Sequence, residues 1–117
     1  MKFRIPVLAC ERQSDIGMHY THVEVCVNYW RSCKSAYVYV QPIKVRDGMV
    51  SLELFSGQRV HLERMERLNR KRIDALGEVV KAQIADKQGP VWDALEKVRA
   101  AHGLTLADFR YSACEVC

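Results

Sequence analysis

Six cationic side chains fall within the fourteen residues from 59 to 72: Arg59, Arg64, Arg67, Arg70, Lys71 and Arg72, against Glu63 and Glu66. The net charge of this window, +4, equals that of the whole 117-residue chain. Residues 1–58 (seven basic, five acidic) and 73–117 (five basic, seven acidic) cancel each other. Such a concentration of charge attracts phosphates or acidic protein surfaces, and the planar fork of arginine suits bidentate contacts to either. If the window is helical, Arg64, Arg67 and Lys71 stack on one side at spacings of three and four. The same spacing permits the internal pairs Glu63–Arg67 and Glu66–Arg70, which would make it a solvated, self-paired face.

Aromatic residues offer a second kind of contact. Tyr37 and Tyr39 project to one side of an alternating segment, near Trp30. On an uncovered sheet face they would provide a platform for single-stranded nucleic acid or anchors for a protein partner. Cross-strand aromatic pairing that merely stabilises the sheet is the better account of them. No run of aromatics, glycine and basic residues of the kind found in RNA-recognition motifs accompanies them.

Five cysteines (Cys10, Cys26, Cys33, Cys114 and Cys117) are too odd in number for a complete disulfide framework. Cys114 and Cys117 form a C-x-x-C pair, half of a zinc site, which Cys26 and Cys33, or His19 and His22, could complete. None of these makes a second C-x-x-C, and the alternative is that the thiols are small buried or incidental groups. Catalytic motifs are missing: there is no G-x-S-x-G, H-E-x-x-H or glycine-rich phosphate loop. A helix-turn-helix over Pro90–Phe109, hinged at Gly103, would carry Arg110 as the sole cation of its second helix, in the acidic third of the chain.

The elements that must position these groups follow from periodicity. Strands are expected over Lys2–Ala9, with Pro6 at an edge or a bulge, then over Thr21–Trp30 and Ala36–Val45. Asp47-Gly48 signals a tight hairpin into a strand whose inner face is Val50, Leu52 and Leu54. Ser56-Gly57 offers a second turn, and Arg59–Leu62 a short strand. From Glu63 to Lys87 the spacing is helical, with Met65, Leu68, Ile73, Leu76, Val79, Val80 and Ile84 in one stripe that packs best after Ile73. Gly89-Pro90 ends this helix and opens another, with Val91, Leu95 and Val98 inward, closed by Gly103. Thr105 and Asp108 suggest a cap for a short terminal helix through Phe109.

The expected fold is therefore α+β, one domain over residues 1–117. An antiparallel meander of four or five strands forms the N-terminal half, covered on one face by two helices plus a short terminal one. No stretch of 18 apolar residues exists, and the N-terminal apolar run is too short for a signal peptide. The expectation is a cytoplasmic, non-enzymatic inhibitor or adaptor without cofactor, docking an acidic protein surface through Arg59–Arg72. The alternatives are a sequence-tolerant DNA- or RNA-binding protein using the same window, and a small zinc protein using the C-terminal cysteines. A homodimer through a sheet edge or the Trp92 region stays open.

Overall fold

The computed structural model describes residues 1–12, 19–53 and 56–107. The architecture is α+β, an antiparallel sheet of six strands with two helices. Strands β1 (Lys2–Cys10), β2 (His22–Trp30) and β3 (Ser35–Arg46) form its centre. Along the far edge of β3 lie two shorter strands: β4 (Met49–Ser51) opposite Lys44–Arg46, and β5 (Gln58–Arg64) opposite Ser35–Val40. A C-terminal strand, β6 (Leu104–Leu106), pairs with β1. It is a sixth strand that periodicity does not reveal, at the place where a short helix was expected. Leu104-Thr105-Leu106 alternates, burying Leu104 while Thr105 is exposed. Leu104–Leu106 is thus extended where the helix-turn-helix would turn into its second helix; the remainder of that helix, with Asp108, Phe109 and Arg110, lies outside the described residues.

Pro6 ends the pairing of β1 with β2, and a register irregularity follows between Val7 and Ala9 on the β6 side. Asp47 and Gly48 both take positive φ, 52° and 77°, as the β3–β4 hairpin requires. Val50 and Leu52 were expected on the inner face but are both exposed: every residue of the three-residue β4 is exposed, and the strand stops at Ser51. Leu54 lies outside the described residues.

Helix α1 runs over Arg70–Asp86 and α2 over Pro90–His102. The expected start of α1 at Glu63 is corrected to Arg70. Gln58–Arg64 is a strand because Val60 and Leu62 alternate with Arg59 and His61 and pack against the core. Asn69 caps α1, its side chain accepting from the Arg72 N–H at 3.1 Å. Gly89 has no side chain to cap α2, and Gln83 supplies the acceptor for the Val91 N–H at 3.0 Å. That contact explains a polar residue inside the apolar stripe of α1. Val79 and Leu68, assigned to that stripe, are each 48% exposed.

One face of the sheet carries Phe3, Ile5, Val23, Val25, Val27, Val38 and Val40, all buried. They share a core with Ile73, Leu76, Val80 and Ile84 of α1 and Val91, Leu95 and Val98 of α2. Full burial of each such side chain stabilises the fold by about 1.5–3 kcal/mol. The opposite face presents Glu24, Cys26, Asn28 and Trp30 beside Tyr37, Tyr39 and Gln41, then Arg59 and His61.

Candidate partner-binding surface

The basic window does not form a helical face. Its residues are distributed by a strand, a crossing segment and a helix start. Arg59 on β5 lies opposite Tyr39 and reaches across the outer face. Its guanidinium carbon sits 4.5 Å from the Trp30 ring centroid, 5.2 Å from Tyr37 and 6.0 Å from Tyr39. Trp30 meets Tyr37 edge-on at 6.4 Å. Trp30 is 41% exposed, whereas both tyrosines are half-buried, so the rings form a platform already occupied by an arginine.

The expected pairs Glu63–Arg67 and Glu66–Arg70 are replaced by others. Arg72 donates to Glu63, with contacts down to 2.6 Å. These hydrogen bonds, reinforced by the guanidinium charge, hold the Glu63 carboxyl below its usual range. Glu66 pairs with Lys34 at 2.8 Å and Arg64 at 3.0 Å, and its carboxyl is likewise held low, by Lys34 first and then Arg64. Lys71 is exposed on the first turn of α1 and borders neither cavity described below.

Arg67 and Arg70 line a cavity of about 820 Å³ together with Lys2, Arg31, Lys34 and Leu68. None of Lys2, Arg31, Arg67 and Arg70 is paired with a carboxylate among the described residues. A second cavity, of about 440 Å³, is lined by Trp30, Lys34, Tyr37, Arg59, His61 and Arg64, and Lys34 borders both. Seven cationic side chains (Lys2, Arg31, Lys34, Arg59, Arg64, Arg67 and Arg70) therefore line two adjoining concavities in which Glu66 is the one carboxylate among the lining residues.

Local structure explains the convergence. After Trp30 the chain makes one 3-10 turn, Arg31–Cys33, and Lys34 takes φ 49° to enter β3. The segment leaving β5 crosses this turn, with the Met65 N–H donating to the Lys34 carbonyl and the Tyr29 hydroxyl to the Met65 carbonyl, both at 2.8 Å. Lys2, Arg31 and Lys34 are thereby brought to Arg67 and Arg70. Sequence reasoning missed these three, since each stands far along the chain from the basic window.

Elsewhere the outer face neutralises itself: Arg4 meets Glu24, which is 6% exposed, at 3.4 Å. A cavity of about 480 Å³ beside α2 and β6 is edged by Trp92 and Leu106 and contains the ion pair Arg99–Glu96 at 2.8 Å. Cys26 is half-buried and desolvation pushes its thiol pKa up, while Cys33 is exposed. His22 lies 2.8 Å from the Thr21 hydroxyl. No group of three or more His, Cys, Asp or Glu able to hold a metal occurs among the described residues, and Cys114 and Cys117 lie outside them. No helix among the described residues is long and apolar enough to cross a membrane.

Comparison with protein-family models, curated proteins and solved structures gives no match to this chain.

Proposed function

We propose that this chain is a non-enzymatic binding protein, an inhibitor or adaptor, that docks an acidic protein surface at the Trp30–Ser35 end of its sheet. One observation carries the reading: seven cationic side chains against one carboxylate on two contiguous concavities. Charge of this kind steers association with an acidic partner and fixes its orientation. Trp30 and the arginines are also the residue types that anchor protein interfaces. The role first assigned to a basic helix passes to a surface built from β1, the 31–34 turn, β5 and the start of α1. Lys71 and Arg72 stand aside from it.

A second reading, sequence-tolerant binding of DNA or RNA, is favoured by the same charge density. Against it, the ring faces that bases would stack on are covered by Arg59. The test is capture from host lysate, with and without nuclease, by wild type and by the double variant Arg67→Glu/Arg70→Glu. A nuclease-resistant protein lost in the variant supports docking. Captured nucleic acid that disappears with nuclease supports the second reading. Capture unchanged by the double variant overturns both.

A further inference from the structure

The larger cavity has a backbone edge as well as charge. β1 pairs with β2 from Pro6↔His22 to Lys2↔Cys26, and Met1 adds the last contacts: the Val27 N–H donates to the Met1 carbonyl at 2.8 Å, and the terminal amine to the Val27 carbonyl at 3.2 Å. β2 continues to Trp30, and no described strand pairs with that edge beyond Val27. Backbone polar groups alternate in direction along a strand. Those of Tyr29 therefore point the same way as those of Val27, towards the β1 side of the strand. The Tyr29 N–H is held meanwhile by the Asn28 side chain at 2.8 Å.

Around this edge stand Lys2, Arg31, Arg67 and Arg70, without carboxylate partners among the described residues, and the half-exposed Leu68. At α1, the Asn69 side chain already takes the Arg72 N–H, so anion recognition falls mainly to the arginine side chains. Forked, flexible arginines around an apolar side chain and a strand edge complement carboxylates carried on an extended backbone.

Building on the docking reading, we infer that this cavity receives an extended acidic segment of the partner protein. The segment lies along the β2 edge at Asn28–Trp30 as an added strand. Its carboxylates meet Arg31, Arg67 and Arg70, and an apolar side chain rests on Leu68.

The test is fluorescence anisotropy at low salt with two labelled glutamate-rich peptides, one with a central leucine pair and one with serines in its place. Wild type should bind the leucine peptide about tenfold more tightly, the worth of partial burial of apolar side chains. Arg67→Glu/Arg70→Glu should abolish binding of both. Leu68→Ser, at a surface position, should erase the preference without weakening the serine peptide, and its thermal midpoint checks that the fold is intact. A leucine peptide N-methylated at alternate residues, deprived of N–H donors, should lose its affinity if the segment adds as a strand. The inference is overturned if wild type binds the two peptides equally or binds neither, if the preference survives Leu68→Ser, or if N-methylation has no effect. Should it fail while the nuclease-resistant partner is still captured and still lost in the double variant, the docking reading stands without it.

Discussion

Replacing Arg59 by alanine separates the two functional readings, because this side chain occupies the aromatic ledge. Its guanidinium lies within 6.0 Å of three ring centroids. One cation shared among three rings counts once, and Trp30 is 41% exposed, so the interaction belongs at the exposed end of the cation–π range, about 0.5–1 kcal/mol. For a chain of 117 residues this corresponds to a fall in thermal midpoint of about 2–4 °C. Arg59→Lys should recover part of it, keeping the charge but not the stacked plane. The loss would uncover Trp30. In a Trp92→Phe background, which leaves Trp30 as the single tryptophan, acrylamide quenching should therefore rise in Arg59→Ala. Binding then discriminates. If the ledge served to stack bases, bared rings would each gain about 1–3 kcal/mol per base and the variant would hold single-stranded RNA at least as well as wild type. If Arg59 instead meets partner carboxylates, the variant loses the protein partner. Unchanged quenching together with unchanged stability would refute the placement of Arg59 over these rings, and with it the claim that the ledge is occupied.

Two glycines near the site should respond oppositely. A Cβ on Gly57 would lie 2.6 Å from the Val40 carbonyl and 2.7 Å from the Tyr39 ring, so Gly57→Ala should cost about 1–3 kcal/mol in chemical denaturation. At Gly77 the nearest obstruction is the flexible Met1 side chain, and helix propensity favours alanine by about 1 kcal/mol. Gly77→Ala should accordingly be near neutral or stabilising; a loss as large as that at Gly57 would contradict the packing. For pH, Glu63 titrates below its ordinary value of 4.5 because Arg72 donates to it. Its contribution is therefore present at neutral pH and is lost as pH falls below 4.5 through the depressed folded value. Glu63→Gln should be less stable than wild type at pH 7, with the difference closing in acid; a difference constant with pH would exclude the pair as its source. Iodoacetamide at mildly alkaline pH should modify the exposed Cys33 about tenfold faster than Cys26, whose burial disfavours the thiolate. Peptide mapping by mass spectrometry reads the order directly, and equal rates would contradict it.

Much of the fold was legible where a single periodicity ruled. Val23, Val25 and Val27 of β2 and Val38 and Val40 of β3 alternate, Asp47-Gly48 permits a tight hairpin, and Ile73, Leu76, Val80 and Ile84 return at helical spacing, so these elements follow from side-chain direction alone. The difficulty lay between residues 58 and 69. There Val60 and Leu62 fit a strand, while acidic and basic residues four apart imitate the charge ladder of a helix. Tertiary pairing decided the matter: β3 runs for 12 residues, and β5 satisfies the edge that the short β4 leaves unpaired. The local clue was Asn69, a good helix cap directly before Arg70. β6 escaped for a similar reason, being three residues whose partner, β1, lies at the other end of the chain.

That same displacement of the helix start is what makes the surface. Had α1 begun at Glu63, its acidic residues would have met Arg67 and Arg70 one turn away, and the charge would have been spent within the helix. Because Gln58–Arg64 is extended, Glu63 is drawn to Arg72 and Glu66 to Lys34 and Arg64. Arg67 and Arg70 are left lining the cavity with Lys2 and Arg31. Like charges gathered in this way repel one another, and each could have been relieved by a nearby carboxylate without disturbing the core, since none of the four is buried. On the docking reading proposed above, an anionic chain entering the cavity relieves this repulsion, so that binding and folding are opposed at these four positions. Reversing Arg67 and Arg70 should leave the thermal midpoint unchanged or raise it slightly while removing the partner, a combination that a purely structural role for these arginines would not produce.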